Sequence, residues 1–86
     1  MDFQVSNFRT RGGLEVDFIL KLEEKKFAIE CKASEVVTSS EVNKIQKIDQ
    51  YYKKIEKMII YRGKRELKDG NVWILPFPKA RAVLGL

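Results

Sequence analysis

The chain predicts an α+β domain built on a mixed central sheet of about five strands, in the order β-β-β-α-β-β with a packed helix, because amphipathic elements of this kind must bury one face each against another layer. Three observations carry that expectation. Residues 14–21 and 26–32 both alternate apolar and polar side chains with the period of a half-buried strand. A charged turn, Leu22-Glu23-Glu24-Lys25, separates them. Further on, Val42, Ile45, Ile48, Tyr52 and Ile55 recur at helical spacing and form one apolar stripe.

Taken in order, residues 3–10 read as a first strand, closed by Arg11-Gly12-Gly13, where the glycine pair supplies the freedom in φ that a tight hairpin needs. In residues 14–21, Leu14, Val16, Phe18 and Leu20 point one way, and Glu15, Asp17, Ile19 and Lys21 the other. In residues 26–32, Phe27, Ile29 and Cys31 share one face, and Ala28, Glu30 and Lys32 the opposite one. Ser39-Ser40 ahead of Glu41 offers a serine N-cap with an acid in the first turn, so the helix is expected to begin near Ser40 and to run to about Ile55. Residues 57–61 follow as a short apolar strand, 62–70 as a basic connection and 71–76 as a strand containing Trp73. Residues 78–86 suit a last short helix.

Composition narrows the chemistry. The 86 residues are expected to form a single domain whose own core is modest, which favours association with a second copy. No apolar run approaches the length of a membrane span, and neither a secretory leader nor a cysteine pair is present, so a reducing, cytoplasmic setting is expected. Seventeen lysines and arginines against twelve acids leave a net charge of +5, which suits a polyanionic partner. The chain has no histidine, which removes Ser-His-Asp and Cys-His nucleophile systems, and with one cysteine a structural zinc site is excluded as well. Chemistry must run on carboxylates, lysines, arginines, tyrosines or a hard metal ion.

A turn centred between Glu23 and Glu24 sets a register in which Asp17 faces Glu30 and Glu15 faces Lys32, all on one face of the hairpin. Directly opposed residues have Cβ atoms about 5 Å apart, so the two acids repel unless a cation lies between them. Two readings follow from the residues themselves: a solvated face laced with salt bridges, or two carboxylates converging on a divalent cation such as Mg²⁺. Acid facing acid speaks for the second, since a purely structural face pairs acid with base.

The segments Gly13-Leu14-Glu15-Val16-Asp17-Phe18 and Ile29-Glu30-Cys31-Lys32-Ala33-Ser34, about a dozen residues apart on neighbouring strands, resemble the PD-(D/E)XK nuclease-like superfamily. The resemblance is closest to the C-terminal nuclease-like domain carried by many prokaryotic AAA-type ATPases, and it spans roughly residues 8 to 77. It implies a restriction-endonuclease-like core and a Mg²⁺- or Mn²⁺-dependent endonuclease hydrolysing DNA phosphodiester bonds, branched or structured DNA included, as a homodimer. Asp17 and Glu30 would be the metal-binding catalytic carboxylates, the main-chain carbonyl of Cys31 a further ligand, and Lys32 the lysine that orients the attacking water. Glu15 would orient Lys32 from behind. The rival expectation is a non-catalytic module of the same fold that binds nucleic acid or a protein partner.

Arg9 and Arg11 by the first hairpin, and Arg62, Lys64, Arg65 and Lys68 after the fourth strand, are placed to contact phosphates, or else are solvated loop charges. Tyr52, Tyr61 and Trp73 have core spacing, and Cys31 is expected to be a small buried hydrophobe.

Overall fold

The computed structural model describes residues 3–86, and the backbone alone for Phe3. Six strands form one open mixed sheet: β1 (Phe3–Arg9), β2 (Glu15–Leu22), β3 (Lys25–Cys31), β4 (Glu56–Tyr61), β5 (Leu67–Asp69) and β6 (Val72–Pro76). Two helices, α1 (Ser39–Gln46) and α2 (Phe77–Leu84), complete the α+β architecture. Across the sheet the order is β1-β2-β3-β4-β6-β5. The first three strands are antiparallel neighbours, β3, β4 and β6 run parallel, and β5 returns antiparallel to β6. The sixth strand, β5, lies within the stretch expected to be a connection; its three residues are all exposed, so it carries no hydrophobic signal.

Each hairpin follows from its turn. Gly13 takes φ 95, and the turn closes through Thr10, whose N–H donates to the Leu14 carbonyl at 2.9 Å and whose Oγ1 accepts from the Leu14 N–H at 3.1 Å. Between β2 and β3, Glu23 adopts φ 55 and leaves a two-residue turn. Phe18 then faces Ile29 and Lys21 faces Lys26, the register expected from that turn.

The helix is shorter than its apolar stripe. Thr38, not Ser40, is the N-cap: its side chain accepts from the Glu41 N–H at 3.3 Å. After Gln46 the chain tightens into a 3-10 turn, Lys47–Gln50, in place of the continuous helix expected to Ile55. Ile48 and Ile55 are nonetheless buried, so the stripe is real although the helix ends early.

Apolar side chains sort into a layer on each face of the sheet. Beneath α1, Val42, Ile45 and Ile48 pack with Val16, Ile19, Ala28, Ile59 and Tyr61. On the other face Ala80 of α2 packs with Leu20, Phe27, Ile29, Met58 and Leu75. Cys31 corrects the expectation of burial: it is exposed, because it ends β3 beyond the cover of α2, where its neighbour Ile60 is half-buried.

The basic segment after β4 is tied down by Tyr61, whose buried ring lies over Gly63 and whose hydroxyl donates to the Arg65 carbonyl at 2.6 Å. A Cβ on Gly63 would meet that ring at 2.2 Å. Gly63→Ala is therefore expected to cost about 1–3 kcal/mol, as overpacking against an immobile core ring does, measured as a lower urea midpoint with an unchanged slope.

Candidate metal centre

β2 carries one residue more than its partner at the critical point. Ser6 of β1 faces Ile19, but Phe8 faces Val16, so β1 advances two residues where β2 advances three. The extra residue falls at Asp17-Phe18 and makes a β-bulge. It also corrects the expected faces: Leu14 and Val16 pack in the layer of Ile19 and Ala28, whereas Leu20 packs in the other. A single alternation through residues 14–21 does not hold.

At the bulge the β2–β3 ladder passes from main chain to side chain. The Asp17 N–H donates to Glu30 Oε1 at 3.0 Å, and the Cys31 N–H donates to Asp17 Oδ2 at 2.9 Å. This reciprocal clasp explains how two acids stand side by side: each accepts a main-chain hydrogen bond, and bonds to a charged acceptor contribute about 1.5–3 kcal/mol.

Cations approach from α1 and its flank. Lys44 Nζ lies 3.6 Å from Glu30 Oε2, and Lys32 Nζ lies 3.9 Å from Glu41 Oε2. Glu41 sits three residues beyond the Thr38 cap, where a capping box would turn it back to the helix start. It turns toward Lys32 instead, and its Oε2 is buried with no hydrogen-bond partner. Glu15 does not meet Lys32 as expected; it pairs with Arg9 at 2.9 Å, both side chains being exposed. Sequence reasoning missed Glu41 and Lys44. The expected serine cap drew attention away from the Thr38-x-x-Glu41 spacing of a capping box, and that spacing carries no signal that its acid reaches toward β3.

Burial raises the pKa of Glu30, and the Asp17 carboxylate adds to the rise against the opposing pull of the Asp17 N–H and of Lys44. Partial desolvation by its neighbours, though Cys31 remains exposed, and the charges of Asp17 and Glu30 also push its thiol up. A carboxyl whose folded pKa is raised holds its proton more tightly folded than unfolded. Its contribution therefore improves as pH falls through the raised value and is lost as pH rises through it. With EDTA present, lowering the pH from neutrality toward the ordinary carboxylate value of 4.5 is expected to reveal a stabilising contribution from this group. Urea titrations of the parent and Glu30→Gln check this: the parent should gain stability relative to the variant as the pH falls.

The cluster stands at the carboxyl ends of β3 and β4, where open sheets with parallel strands present their ligand sites. The Arg11-Gly12-Gly13 turn borders this end, since the start of β2 lies beside the end of β3. So does the loop with Arg62, Lys64 and Arg65, whose Arg62 N–H donates to the Ser34 carbonyl at 3.0 Å. Five of the six basic residues singled out from sequence, Arg9 included, thus border one end of the sheet, while Lys68 lies in β5 with its ammonium over the Trp73 ring.

Among the described residues, no three or more acidic or cysteine side chains converge as a preformed metal cage. Magnesium does not need one, because it takes one or two carboxylates and keeps several waters. The two clasped carboxylates are the groups that fit a hard cation and its waters, while the Glu41 oxygen without a hydrogen-bond partner lies on the Lys32 side, 3.9 Å from its ammonium.

Fold and site together define an α+β domain with an acidic cluster at the carboxyl end of a parallel strand pair. The chain belongs to the family described as Domain of unknown function (DUF4143), which matches residues 1–80. No curated protein and no solved structure matches it. Among the described residues, no helix is long and apolar enough to cross a membrane.

Proposed function

We propose that this domain is a Mg²⁺- or Mn²⁺-dependent nuclease that hydrolyses DNA phosphodiester bonds. The observation that carries the reading is the bulge-borne clasp, which holds Asp17 and Glu30 together at a break in the ladder. Asp17 and Glu30 would hold the cation, with the Cys31 carbonyl as a further ligand. When bound, the metal supplies charge neutralisation at the scissile phosphate. Lys32 positions the attacking water and offsets charge on the phosphate as it is attacked. Glu41, rather than Glu15, orients Lys32. Arg9, Arg11, Arg62, Lys64 and Arg65 hold neighbouring phosphates. Two copies acting as a homodimer in the cytoplasm complete the reading, since cutting both strands asks for two sites.

A second reading is favoured by Lys44, whose ammonium already serves Glu30 as a counter-ion. A domain that needs no metal keeps this contact and binds nucleic acid or a protein without cutting. Incubation with single-stranded, duplex and branched DNA, with Mg²⁺, Mn²⁺ or EDTA, separates the two. Products that form with metal and vanish with EDTA support hydrolysis; intact DNA of every form under all conditions, with binding indifferent to metal, supports the module.

A further inference from the structure

A cleft of about 520 Å³ opens beside the acidic cluster, between the Gly12-Gly13 turn on one side and Lys44, Lys47, Gln50 and Tyr51 on the other. Lys44 belongs to both places, since its Nζ lies 3.6 Å from Glu30 Oε2. A chain lying in the cleft is therefore led to the carboxylates. The glycine wall is open: a Cβ on Gly13 would meet nothing within 4 Å, and one on Gly12 only Thr10 Oγ1 at 3.8 Å. Backbone can approach a ligand there without a side chain intervening.

The opposite wall has the composition of a strand-binding groove. Lys44 and Lys47 are three residues apart, so they project from neighbouring positions on one helical surface. Tyr51 is 51% exposed, yet its ring is braced against Phe8 at 5.2 Å between centroids and 63° between planes. A fixed, exposed aromatic beside two ammonium groups is a platform for a base whose neighbouring phosphates are neutralised. Bases inside a duplex are stacked on both faces and offer no such surface; a single strand does.

We propose that this cleft is the track of a single DNA strand, with Tyr51 stacking on one base and Lys44 and Lys47 pairing with adjacent phosphates, so that a following phosphate reaches Asp17 and Glu30. The track gives the hydrolase reading its substrate form and rests on that reading for the position of the cut. Binding itself needs no metal.

The test is fluorescence anisotropy on the 86-residue chain in EDTA, with a labelled single-stranded oligodeoxynucleotide of mixed sequence and a blunt duplex of the same length. The single strand is expected to bind about tenfold more tightly than the duplex, and Tyr51→Ala to lose about tenfold, the effect of one stacked base. Tyr51→Phe should bind as the parent does. Lys47→Glu should weaken binding and flatten its salt dependence. Lys53→Glu makes the same charge change in the separate lysine-bearing cleft beside Asp49 and should leave binding unchanged. Equal affinity for duplex, parent-like binding by Tyr51→Ala and Lys47→Glu, or an equal loss in Lys53→Glu overturns the track. Adding Mg²⁺ or Mn²⁺ separates the two inferences: a strand bound in the cleft but never cut leaves the track standing and removes hydrolysis. Cleavage at the parent rate by both cleft variants does the reverse.

Discussion

Alanine at Asp17 or at Lys32 is expected to lower metal-dependent DNA cleavage by about a hundred- to a thousandfold, the usual loss when a preorganised charge is removed from a transition state. The two substitutions act through different parts of the same event. Asp17→Ala removes a proposed metal ligand and also the acceptor of the Cys31 N–H, so a fall in stability is expected with it. Asp17→Asn keeps an acceptor oxygen and should stay folded while losing the same activity, which separates chemistry from folding. Lys32→Ala leaves both proposed metal-binding carboxylates in place, so calorimetric Mg²⁺ binding should persist while cleavage fails. Glu41→Gln should cost about ten- to a hundredfold, as the loss of a residue that orients another does. Cleavage by the alanine variants at the parent rate would mean that the clasp is not the reacting site.

The largest effect on stability is expected away from that site. Lys57 is the sole buried charged residue among those described, at 2% exposure, and its Nζ lies 2.6 and 2.8 Å from the two oxygens of Asp49. Asp49 belongs to the 3-10 turn, and Lys57 stands near the start of β4, so the pair ties the end of the helical segment to the sheet. Removing the acid strands an ammonium group in the layer beneath α1. Asp49→Ala should therefore destabilise the fold by about 3 kcal/mol, the low end for a broken buried pair because Asp49 itself is half-exposed. For a domain of this size that is a melting temperature lower by roughly 15 °C. Adding Lys57→Met to the Asp49→Ala chain should recover most of the loss, because the uncompensated charge is gone and the stem's packing is kept. A double variant as unstable as Asp49→Ala alone would place the cost in the turn rather than in the buried ammonium.

Much of this architecture was legible because short-range rules act alone on it. The Glu23-Glu24 turn dictates the β2–β3 register as far as Phe18 facing Ile29, and Asp17 meets Glu30 just beyond the end of that ladder through its N–H. The helical stripe from Val42 to Ile55 correctly named its buried face. What could not be read depends on longer-range fit. The bulge at Asp17-Phe18 contains no glycine or proline, and although the apolar run Phe18-Ile19-Leu20 interrupts the alternation of residues 14–21 there, only the pairing with β1 reveals the extra residue. The 3-10 turn escaped notice because Ile48 and Ile55 keep helical spacing past the point where the helix ends. Lys44 and Glu41 look like ordinary solvated helix charges until α1 docks over the end of β3. Lys57, a lone lysine near the head of an apolar strand, was the one local hint of a buried pair.

Anomalous diffraction from a crystal of this domain soaked in Mn²⁺ reads directly whether Asp17 and Glu30 hold a divalent cation. One strong peak is expected between the two carboxylates, about 2.1 Å from an oxygen of each, with the Lys44 ammonium drawn away from Glu30. A map with no peak there, and with Lys44 still seated against Glu30, would contradict cation binding at this site.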